Sequence, residues 1–466
     1  MRVVRYQRAI TLPATSEVAF RWHSNPKLFY RLAPPWKSLQ VKAIASDLSN
    51  GSKTIFRVPI APFIGREWVA EHSDYTPSSR FTDIQRKGPF AHWTHSHSFN
   101  DNSNGTCTLT DEIEFAPPLR MLAEPVVGRA LTTMIDNLFT YRHHTSVEDL
   151  QYASDWKDSE RMSIAVTGSS GLIGRRFCNF AETLGHQVTC IHRNAGSSEG
   201  IYWEPSKDQI DSDSLEGFDA IVHLAGENIA AKRWTAKQKR RIRDSRVTST
   251  ELLAKTVSGL ANPPNVLVSA SAIGFYGDRG EEILEDDASH SENETFLSRT
   301  AQEWEQASDL LLDSHVRLVK TRFGIVLSPQ GGALKELLRP FKFCVGGKVG
   351  NGRQYWSWVT IDDVVQSLMF CLQNKAISGP VNVVSPNACT NLEFVKALGS
   401  VLRRPSIFPL PGFVARTVLG EMAEELLLHS TRVAPSKLLE HGYRFRDPVL
   451  ADALSILLGR SLKSYD

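Results

Sequence analysis

The chain has 466 residues, of which 41% are hydrophobic and 22% charged, a composition typical of a soluble globular protein with two or three domains. The formal net charge of +2 favours neither nucleic acid nor an anionic membrane surface as a partner. No signal-like segment and no apolar run long enough to cross a bilayer is present, so we expect a cytoplasmic protein without a membrane span. Six dispersed cysteines without a C-x-x-C pair indicate reduced thiols rather than disulfides or zinc.

Residues 1–147 alternate strand-like segments with turn clusters and lack the βαβ order of a parallel sheet. One or two short helices are predicted at 16–32, and a closing helix is predicted after Pro118 because apolar residues recur there every four residues. These are Val126, Ala130, Met134 and Leu138, with Leu131 and Ile135 beside them. The predicted strands lie at 3–12, 39–44, 52–58, 67–72, 80–85, 92–100 and 106–115.

This order of elements resembles the START-like superfamily of polyketide cyclases and lipid-transport proteins. The run G-P-F-A-H-W-T-H-S-H-S-F at 88–99 is similar to a signature of one of its subgroups. The resemblance implies an α+β helix-grip domain over residues 1–147, in which an antiparallel sheet wraps around the last helix. It also implies a cavity for an apolar ligand.

Three histidines in this run, His92, His95 and His97, are candidate metal ligands. Side chains alternate between the two faces of a strand, so His95 and His97 share a face with Trp93 and Phe99. His92 falls on the other face, and the pattern offers no cysteine or carboxylate as a further ligand. We therefore predict no metal site, and expect the histidines to form a cavity wall or to pack in the core.

Residues 148–161 are polar, rich in acidic side chains and without a clear period. They are therefore predicted to be the linker to a second domain. The second domain is expected to begin at Met162, next to a short β-capable segment.

A strand–glycine–helix motif follows, with the sequence S-I-A-V-T-G-S-S-G-L-I-G-R-R-F at 163–177. Gly168 permits a tight turn, Gly171 lets the backbone approach a pyrophosphate, and Gly174 lets the helix pack closely on the strand. N–H groups at the helix N-terminus bind phosphates, so the motif predicts a dinucleotide site. The expected cofactor contacts are Gly168, Ser170, Gly171, Leu172, Ile173 and Gly174, and, after later strands, Arg193, Leu224, Ala225, Gly226 and Ser269.

The second strand of this predicted βαβ unit ends in His192 and Arg193 rather than in an acidic residue. An acid at this point binds the ribose hydroxyls of NAD(H) and would repel a 2′-phosphate, whereas an arginine pairs with one. NADP(H) is therefore favoured over NAD(H). The alternative is an arginine that only faces solvent.

Later motifs add a more specific resemblance. They are H-L-A-G at 223–226, S-A-S-A-I-G-F-Y-G at 269–277, R-F-G-I-V-L at 322–327, G-N-G-R-Q-Y-W-S-W-V-T-I-D-D at 350–363, R-V-A-P at 432–435 and G-Y-R-F-R at 442–446. With the glycine motif, they resemble the extended short-chain dehydrogenase/reductase superfamily, in its epimerase-like atypical branch with a DUF1731-type C-terminal domain. The resemblance implies a Rossmann-type doubly wound parallel sheet over 162–385 and a small, mostly helical cap over 386–466. The fold class is then α/β, with the helix-grip domain in front.

Catalysis in this superfamily uses a tyrosine that exchanges a proton with the substrate oxygen, a lysine four residues later, and a serine that orients the substrate. By resemblance Ser271 takes the serine position. The helix expected to carry the pair, at 295–305, contains neither residue, and no Y-x-x-x-K occurs in the sequence. Tyr276 is the candidate replacement acid/base, with packing as its alternative role. Arg322 and His223 are candidates for polarising a carbonyl.

Substrate contacts are predicted for Arg353, Tyr355 and Trp356. Related sugar-nucleotide epimerases often have an arginine and an aspartate here that hold the substrate's diphosphate, whereas this chain has Trp356 and Ser357. An aromatic wall would suit a flatter and less charged substrate. The alternative is that these aromatic side chains are buried between the domain and its cap. The two interpretations carry equal weight.

Together these residues predict an NADP(H)-binding oxidoreductase or epimerase acting on a carbonyl or hydroxyl of a small, partly apolar substrate. The alternative is a non-catalytic protein that senses the nucleotide and a second ligand, since some relatives in the epimerase-like branch are described as cell-division factors. The expected partners are a small-molecule substrate and an apolar ligand of the first domain.

Overall fold

The computed structural model describes residues 3–61, 64–117, 125–194 and 199–460. They form two compact units, residues 3–159 with 455–460 and residues 160–454. Each unit has its own large sheet, antiparallel in the first and almost wholly parallel in the second.

Among its described residues, the first unit combines strands with three whole helices and the end of a fourth, which begins before residue 455. Its elements are β1 (Val4–Leu12), α1 (Ser16–His23), α2 (Leu28–Leu32), β2 (Gln40–Ala43), β3 (Lys53–Ala61), β4 (Ile64–Thr76), β5 (Arg80–Lys87), β6 (His92–Asp101), β7 (Cys107–Ala116) and α3 (Pro125–Asp155). The seven strands form one antiparallel sheet in the order β1-β7-β6-β5-β4-β3-β2. The predicted strands are confirmed, and along β1 the residues alternate between less and more exposed positions, as a half-buried strand requires.

Helix α3 packs on a face of this sheet with a side that only partly matches the predicted apolar row. Ile135 and Phe139 are buried in the core, while Met134 of the predicted apolar row is 37% exposed. The side chain of Val126 lies outside the described residues. Leu131 and Leu138 pack against the same cluster, and the buried row continues to His143, so the predicted apolar side is confirmed in part and its centre lies at Ile135 and Phe139.

The linker prediction for residues 148–161 is wrong at its start, because α3 continues to Asp155. A buried ion pair explains this continuation. Arg31 of α2 donates hydrogen bonds of 2.6 and 2.7 Å to the carboxylate of Asp149, and both side chains are 0% exposed. Pairing of this kind compensates the desolvation of both charges, so a polar segment forms part of the packed interior.

The second unit alternates strands with helices, as a parallel sheet requires, since parallel neighbours are joined by crossovers. Its described elements are β8 (Ser163–Thr167), α4 (Leu172–Thr183), β9 (Gln187–His192), β10 (Ile201–Glu204), β11 (Gln209–Ile210), β12 (Ala220–His223), α5 (Ala236–Ser258), β13 (Val266–Ala272), β14 (Ile283–Leu284), α6 (Phe296–Gln306), β15 (Arg317–Phe323), β16 (Ile325–Leu327), α7 (Gly332–Lys342), β17 (Tyr355–Trp356), β18 (Trp358–Thr360), α8 (Ile361–Gln373), β19 (Gly379–Val383), β20 (Cys389–Thr390), α9 (Asn391–Leu402), α10 (Gly412–Leu419), α11 (Glu421–Ala423), β21 (Arg432–Val433), α12 (Ser436–Glu440) and α13 (Leu450–Leu458).

The main sheet of this unit has the strand order β11-β10-β9-β8-β12-β13-β15-β19. All neighbours are parallel except β10 and β11, and the predicted Rossmann-type parallel sheet is confirmed. Four consecutive residues in each of the central strands β8 and β12 are fully buried, as expected for strands covered on both faces. The winding reverses between β8 and β12, and ligands of such sheets bind at the carboxyl ends of the strands at this point.

The region after β19 is mostly helical and is joined to α8 through a buried carboxylate. Asp363 accepts hydrogen bonds from the Tyr443 hydroxyl at 3.3 Å and from the backbone N–H groups of Arg446 and Asp447 at 2.9 and 3.3 Å. Strand β21 of this region pairs in parallel with β14. Within the described part of the chain, no helix is both long enough and apolar enough to cross a bilayer.

Candidate functional site

The glycine loop joins β8 to α4 at the carboxyl edge of the parallel sheet. Gly168 has a φ of +66°, and a Cβ there would lie 2.6 Å from the carbonyl group of Leu224. A Cβ at Gly174 would lie 2.2 Å from the carbonyl oxygen of Gly168. Both positions need glycine because of the protein's own backbone packing.

Gly171 differs from the other two glycines because it is exposed. It is the N-cap residue of α4, and no side chain caps the helix. A Cβ at Gly171 would have only one neighbouring atom, the carbonyl oxygen of Gly168 at 3.0 Å. Ser170 is exposed beside it, and Leu172 and Ile173 are half-buried in the first turn. The first N–H groups of α4 therefore remain for an external acceptor, which suits a phosphate.

The loop after β12 lies directly against the glycine loop. Thr167 Oγ1 accepts hydrogen bonds from the backbone N–H groups of Leu224 and Ala225 at 3.1 and 3.3 Å, and the following Gly226 is exposed. Ser269 is buried within β13, so its side chain is enclosed by the sheet. The predicted cofactor residues thus lie at the carboxyl edge of the parallel sheet, and the side chain of Ser269 is the one that is buried there.

His223, at the end of β12, is fully buried between two hydroxyl groups. Its Nδ1 lies 2.7 Å from Thr167 Oγ1 and its Nε2 lies 2.9 Å from Thr250 Oγ1. Burial lowers the pKa of His223 to about 4, so the ring is neutral near pH 7. These contacts fix the ends of β8 and β12 and leave no ring nitrogen to polarise a substrate carbonyl.

Because of His223, we expect the second unit to lose stability as the pH falls from about 6.5 towards 4. The His223 ring takes up a proton near pH 6.5 in the unfolded chain and near pH 4 in the folded chain. The contribution of His223 to stability is therefore fully present above pH 6.5, and its loss amounts to about 3 kcal/mol. Urea unfolding midpoints across this range measure the slope. His223→Asn should flatten it, and an equal slope in both proteins would contradict the assignment.

Two arginines lie at the same edge of the sheet. Arg193 follows β9, is exposed, and makes no ion pair or hydrogen bond with a described residue. Arg246 of α5 packs over the Trp304 ring at 5.1 Å, and a Cβ at Gly226 would lie 3.3 Å from its guanidinium. Burial lowers the pKa of Arg246 to about 10, which leaves it charged. Both cations are placed to meet an anionic ligand.

The predicted catalytic serine belongs to a buried polar network. Ser271 Oγ donates a hydrogen bond of 2.6 Å to the carboxylate of Glu305 in α6, the helix in which the resemblance places the Tyr–Lys pair. Arg322 of β15 donates two hydrogen bonds of 2.8 Å to the same carboxylate. A charged pair therefore occupies the space behind Ser271 and fixes its hydroxyl.

Tyr276 lies at the other end of this network and is fully buried. Its hydroxyl accepts a hydrogen bond of 2.9 Å from Arg322. It has two acceptors for its single proton, Asn382 Oδ1 at 2.7 Å and the Glu285 carbonyl at 2.9 Å. Burial raises the pKa of Tyr276. Since protein groups surround the hydroxyl, its environment favours a positioning role over proton exchange with a substrate.

The three predicted substrate residues have different environments. Arg353 is exposed, and Tyr355 is half-buried with the Arg432 guanidinium 4.6 Å from its ring centroid. Trp356 is buried and packs on Phe394, with ring centroids 5.3 Å apart. Of the proposed aromatic wall, Tyr355 is thus the member that retains exposed surface.

A cavity of about 690 Å³ lies between α5, α6 and residues 421–429. Lys239 and Arg243 line it, and they pair with Glu421 and Glu303 respectively. The carboxylate of Glu425 accepts hydrogen bonds from two backbone N–H groups at the start of α6. None of the predicted site residues is among the described lining residues. This cavity is on the face of α6 opposite to Glu305, and therefore separate from the Ser271 network.

The histidines of β6 lie beside carboxylates, which the sequence analysis did not expect. Asp111 of β7 contacts His95 Nε2 at 2.9 Å and His97 Nδ1 at 2.8 Å, and Asp83 of β5 lies 3.5 Å from His97 Nε2. The expectation that no carboxylate accompanies these histidines is wrong. Antiparallel pairing sets His95 opposite Asp83 and His97 opposite Asp111, which a single strand pattern does not reveal.

Comparisons with known proteins identify the family of the second unit. The model of the NAD dependent epimerase/dehydratase family matches residues 164–384, and that of DUF1731, a domain of unknown function, matches residues 410–457. An epimerase family protein of Mycobacterium bovis is 38% identical over 294 residues, which are 62% of this chain and 96% of the relative. The chain belongs to the epimerase family. The predicted resemblance to epimerase-like proteins with a DUF1731-type domain is confirmed.

Two solved structures extend the likeness of this epimerase-family chain. A nucleoside-diphosphate sugar epimerase from Corynebacterium glutamicum has a TM-score of 0.81 at 31% identity, with 99% of this chain and 91% of that chain covered. The human epimerase family protein SDR39U1 (isoform 2) with NADPH has a TM-score of 0.59 at 31% identity, with 64% of this chain and 99% of that chain covered. The first likeness therefore includes residues of both units.

Two site residues of this epimerase-family protein were not found from its sequence. Glu305 shares a buried helical face with Ser298 and Ala301, because residues spaced by three and four lie on one side of a helix. Arg246 similarly follows Ile242 and precedes Thr250 on the buried side of α5. In both helices, a charged residue is spaced three or four positions from buried residues. This spacing was the sequence signal for Glu305 and for Arg246.

Proposed function

We propose that this epimerase-family protein binds NADP(H) at the carboxyl edge of its parallel sheet. The observation that carries the proposal is Arg193, an exposed cation without a partner among the described residues, placed where an acid would select NAD(H). The open N-terminus of α4 at Gly171 supports it as the place for the pyrophosphate. The NADPH in the structure of human SDR39U1 is further support.

The cofactor preference is tested with Arg193→Ala. We expect this variant to bind NADPH about 10- to 100-fold more weakly, because a charge-assisted hydrogen bond contributes about 1.5–3 kcal/mol. Its affinity for NADH should change little. Calorimetric titration of both nucleotides measures the effect, with Arg240→Ala, an exposed arginine of α5, as the control. Tighter binding of NADH than NADPH by the unsubstituted chain would contradict the proposal.

The reaction we propose is oxidoreduction or epimerisation at a carbonyl or hydroxyl of a small, partly apolar substrate. When bound, NADP(H) supplies or accepts a hydride. Ser271 would orient the substrate oxygen, with its own proton donated to Glu305, which Arg322 holds in place. We assign Tyr276 a positioning role, because its hydroxyl holds Arg322 and Asn382. Arg353, Tyr355 and Trp356 remain the proposed substrate residues, of which Tyr355 and Arg353 have exposed surface.

A second function is favoured by the enclosure of both predicted catalytic hydroxyls. Ser271 and Tyr276 are buried and hydrogen-bonded within the protein, which suits a nucleotide-sensing protein without turnover. Consumption of NADPH with a panel of carbonyl compounds separates the two functions. Turnover that Ser271→Ala reduces supports the enzyme. Absence of turnover, together with a change in NADPH affinity when an apolar ligand is added, supports the sensor.

We further propose that the first unit is a START-like helix-grip domain that binds an apolar ligand. Its antiparallel sheet, with α3 packed on one face, supports this. So do four half-buried aromatic rings that contact one another, Phe56, Trp68, Phe90 and Trp93, with centroid distances of 4.9–5.7 Å. The proposed domain order is a first domain that includes the whole of α3 to Asp155, a nucleotide-binding domain over 162–385 and a cap over 386–466, in a protein of the cytoplasm.

A further inference from the structure

The first unit contains a buried cluster of metal-ligating side chains that the proposed nucleotide chemistry does not use. His95 and His97 project from one face of β6, and Asp83 lies opposite His95 on β5. Each of these three residues offers one ligand atom, and the three atoms lie within 4.8 Å of one another. Two imidazoles and one carboxylate are a common ligand set for divalent transition metals.

A second observation points to a missing partner in this cluster. His97 is 9% exposed, and its Nδ1 lies 2.8 Å from Asp111 Oδ1 without the alignment of a hydrogen bond. His72 Nδ1 and Asp83 Oδ1, 2.7 Å apart, are likewise buried and misaligned. Among the described residues, none of these atoms has a hydrogen-bond partner. Burial of a polar atom without a well-aligned hydrogen bond is unfavourable.

Neighbouring contacts hold the candidate ligands in place. Asp111 lies 2.9 Å from His95 Nε2 and 2.6 Å from Nε2 of His143 on α3, so it fixes the orientation of the His95 ring. Such carboxylate contacts orient imidazoles in metal sites. Arg142 of α3 is a further positive charge that interacts with both carboxylates. Arg142 and a protonated His97 would neutralise the cluster without a metal, which is the competing arrangement.

We propose that Asp83, His95 and His97 bind one divalent transition-metal ion. The ion would receive lone pairs from the two imidazoles and from the Asp83 carboxylate, and its charge would compensate those of Asp83 and Asp111. Three protein ligands leave a coordination position open, as in zinc sites that bind a further small ligand. The inference is independent of the nucleotide site, because all three ligands belong to the first unit.

Titration of Zn²⁺ into the full-length, tag-free and chelator-stripped protein tests the proposal. We expect one Zn²⁺ per chain, and at least about 100-fold weaker binding for His97→Ala and His95→Ala, since even the loss of a group that orients a ligand costs 10- to 100-fold. His92→Ala is the matched control, because His92 lies on the same strand and its Nε2 faces Thr94; its affinity should equal that of the unsubstituted chain.

Cobalt(II) provides a measurement that does not depend on the variants folding. We expect intense visible d–d bands when Co²⁺ is added to the stripped protein, and their loss on addition of Zn²⁺. Absence of stoichiometric Zn²⁺ binding would overturn the proposal in favour of the Arg142–imidazolium arrangement. Equal weakening in His92→Ala and His97→Ala would overturn the ligand assignment.

Discussion

Replacement of Glu305 by glutamine is expected to destabilise the second unit by about 3–5 kcal/mol, because it removes one partner of a buried ion pair. Glu305 is 7% exposed and Arg322 is 4% exposed. The amide has nearly the same size as the carboxylate, but it leaves the guanidinium without a counter-charge. It also replaces one of the two acceptor oxygens that bind Ser271 and Arg322 by an NH2 group, which can only donate. Urea unfolding followed by tryptophan fluorescence measures the loss.

Glu303→Gln is the matched control for this experiment. It makes the same change two residues earlier in α6, where Glu303 pairs with Arg243 at 2.5 Å and the side chains are 31% and 44% exposed. Exposed pairs contribute only about 0–1 kcal/mol, so this variant should unfold close to the unsubstituted chain. Glu305→Gln combined with Arg322→Met should recover part of the stability. Equal midpoints for the two single variants would contradict the assignment of a buried charge pair.

The fold of the second unit follows closely from local sequence signals. The strand that ends at Thr167, the glycines after it and the amphipathic helix α4 are neighbours in the chain, so their spacing predicts their geometry. Gly168 and Gly174 have the predicted roles, since a Cβ at either would meet backbone atoms. Local turns and helix starts are set by residues a few positions apart, and pattern analysis finds them.

The candidate active site was less predictable because its contacts join distant parts of the chain. Its residues belong to four separate elements: Ser271 to β13, Glu305 to α6, Arg322 to β15 and Asn382 to β19. Each residue alone is an ordinary polar position, and only the register of parallel strands brings them together. The same holds for His97 and Asp111, which are opposite each other in β6 and β7 but 14 positions apart in the sequence.

The position of Glu305 connects the absence of the Tyr–Lys pair with the structure around it. Helix α6 is the helix in which the resemblance places the pair, and it presents a carboxylate to Ser271 and Arg322. A lysine in that space would face the Arg322 guanidinium, and two buried like charges repel each other. The presence of a carboxylate rather than a lysine on α6 therefore depends on Arg322. Glu305 and Arg322 are expected to act as a unit.

A second large effect is expected from Gly174→Ala, which should weaken NADPH binding about 100-fold. The new Cβ would lie 2.2 Å from the Gly168 carbonyl oxygen and 2.8 Å from Ser169 Cα. These are backbone atoms, so no change of rotamer relieves the contact, and α4 must move away from β8. Displacement of about 1 Å is enough for a loss of this size where binding depends on fixed geometry. Calorimetric titration with NADPH measures the change.

Gly259→Ala at the end of α5 is the control for this prediction. Its Cβ would meet its nearest atoms at 3.5 and 3.7 Å, which are ordinary contacts, so nucleotide affinity should be retained. Comparison of the two alanine variants separates the loss of a required close approach from a general effect of replacing glycine. If Gly174→Ala binds NADPH as tightly as Gly259→Ala, the contact between β8 and α4 does not position the nucleotide site. The N-terminus of α4 would then not be the phosphate-binding element.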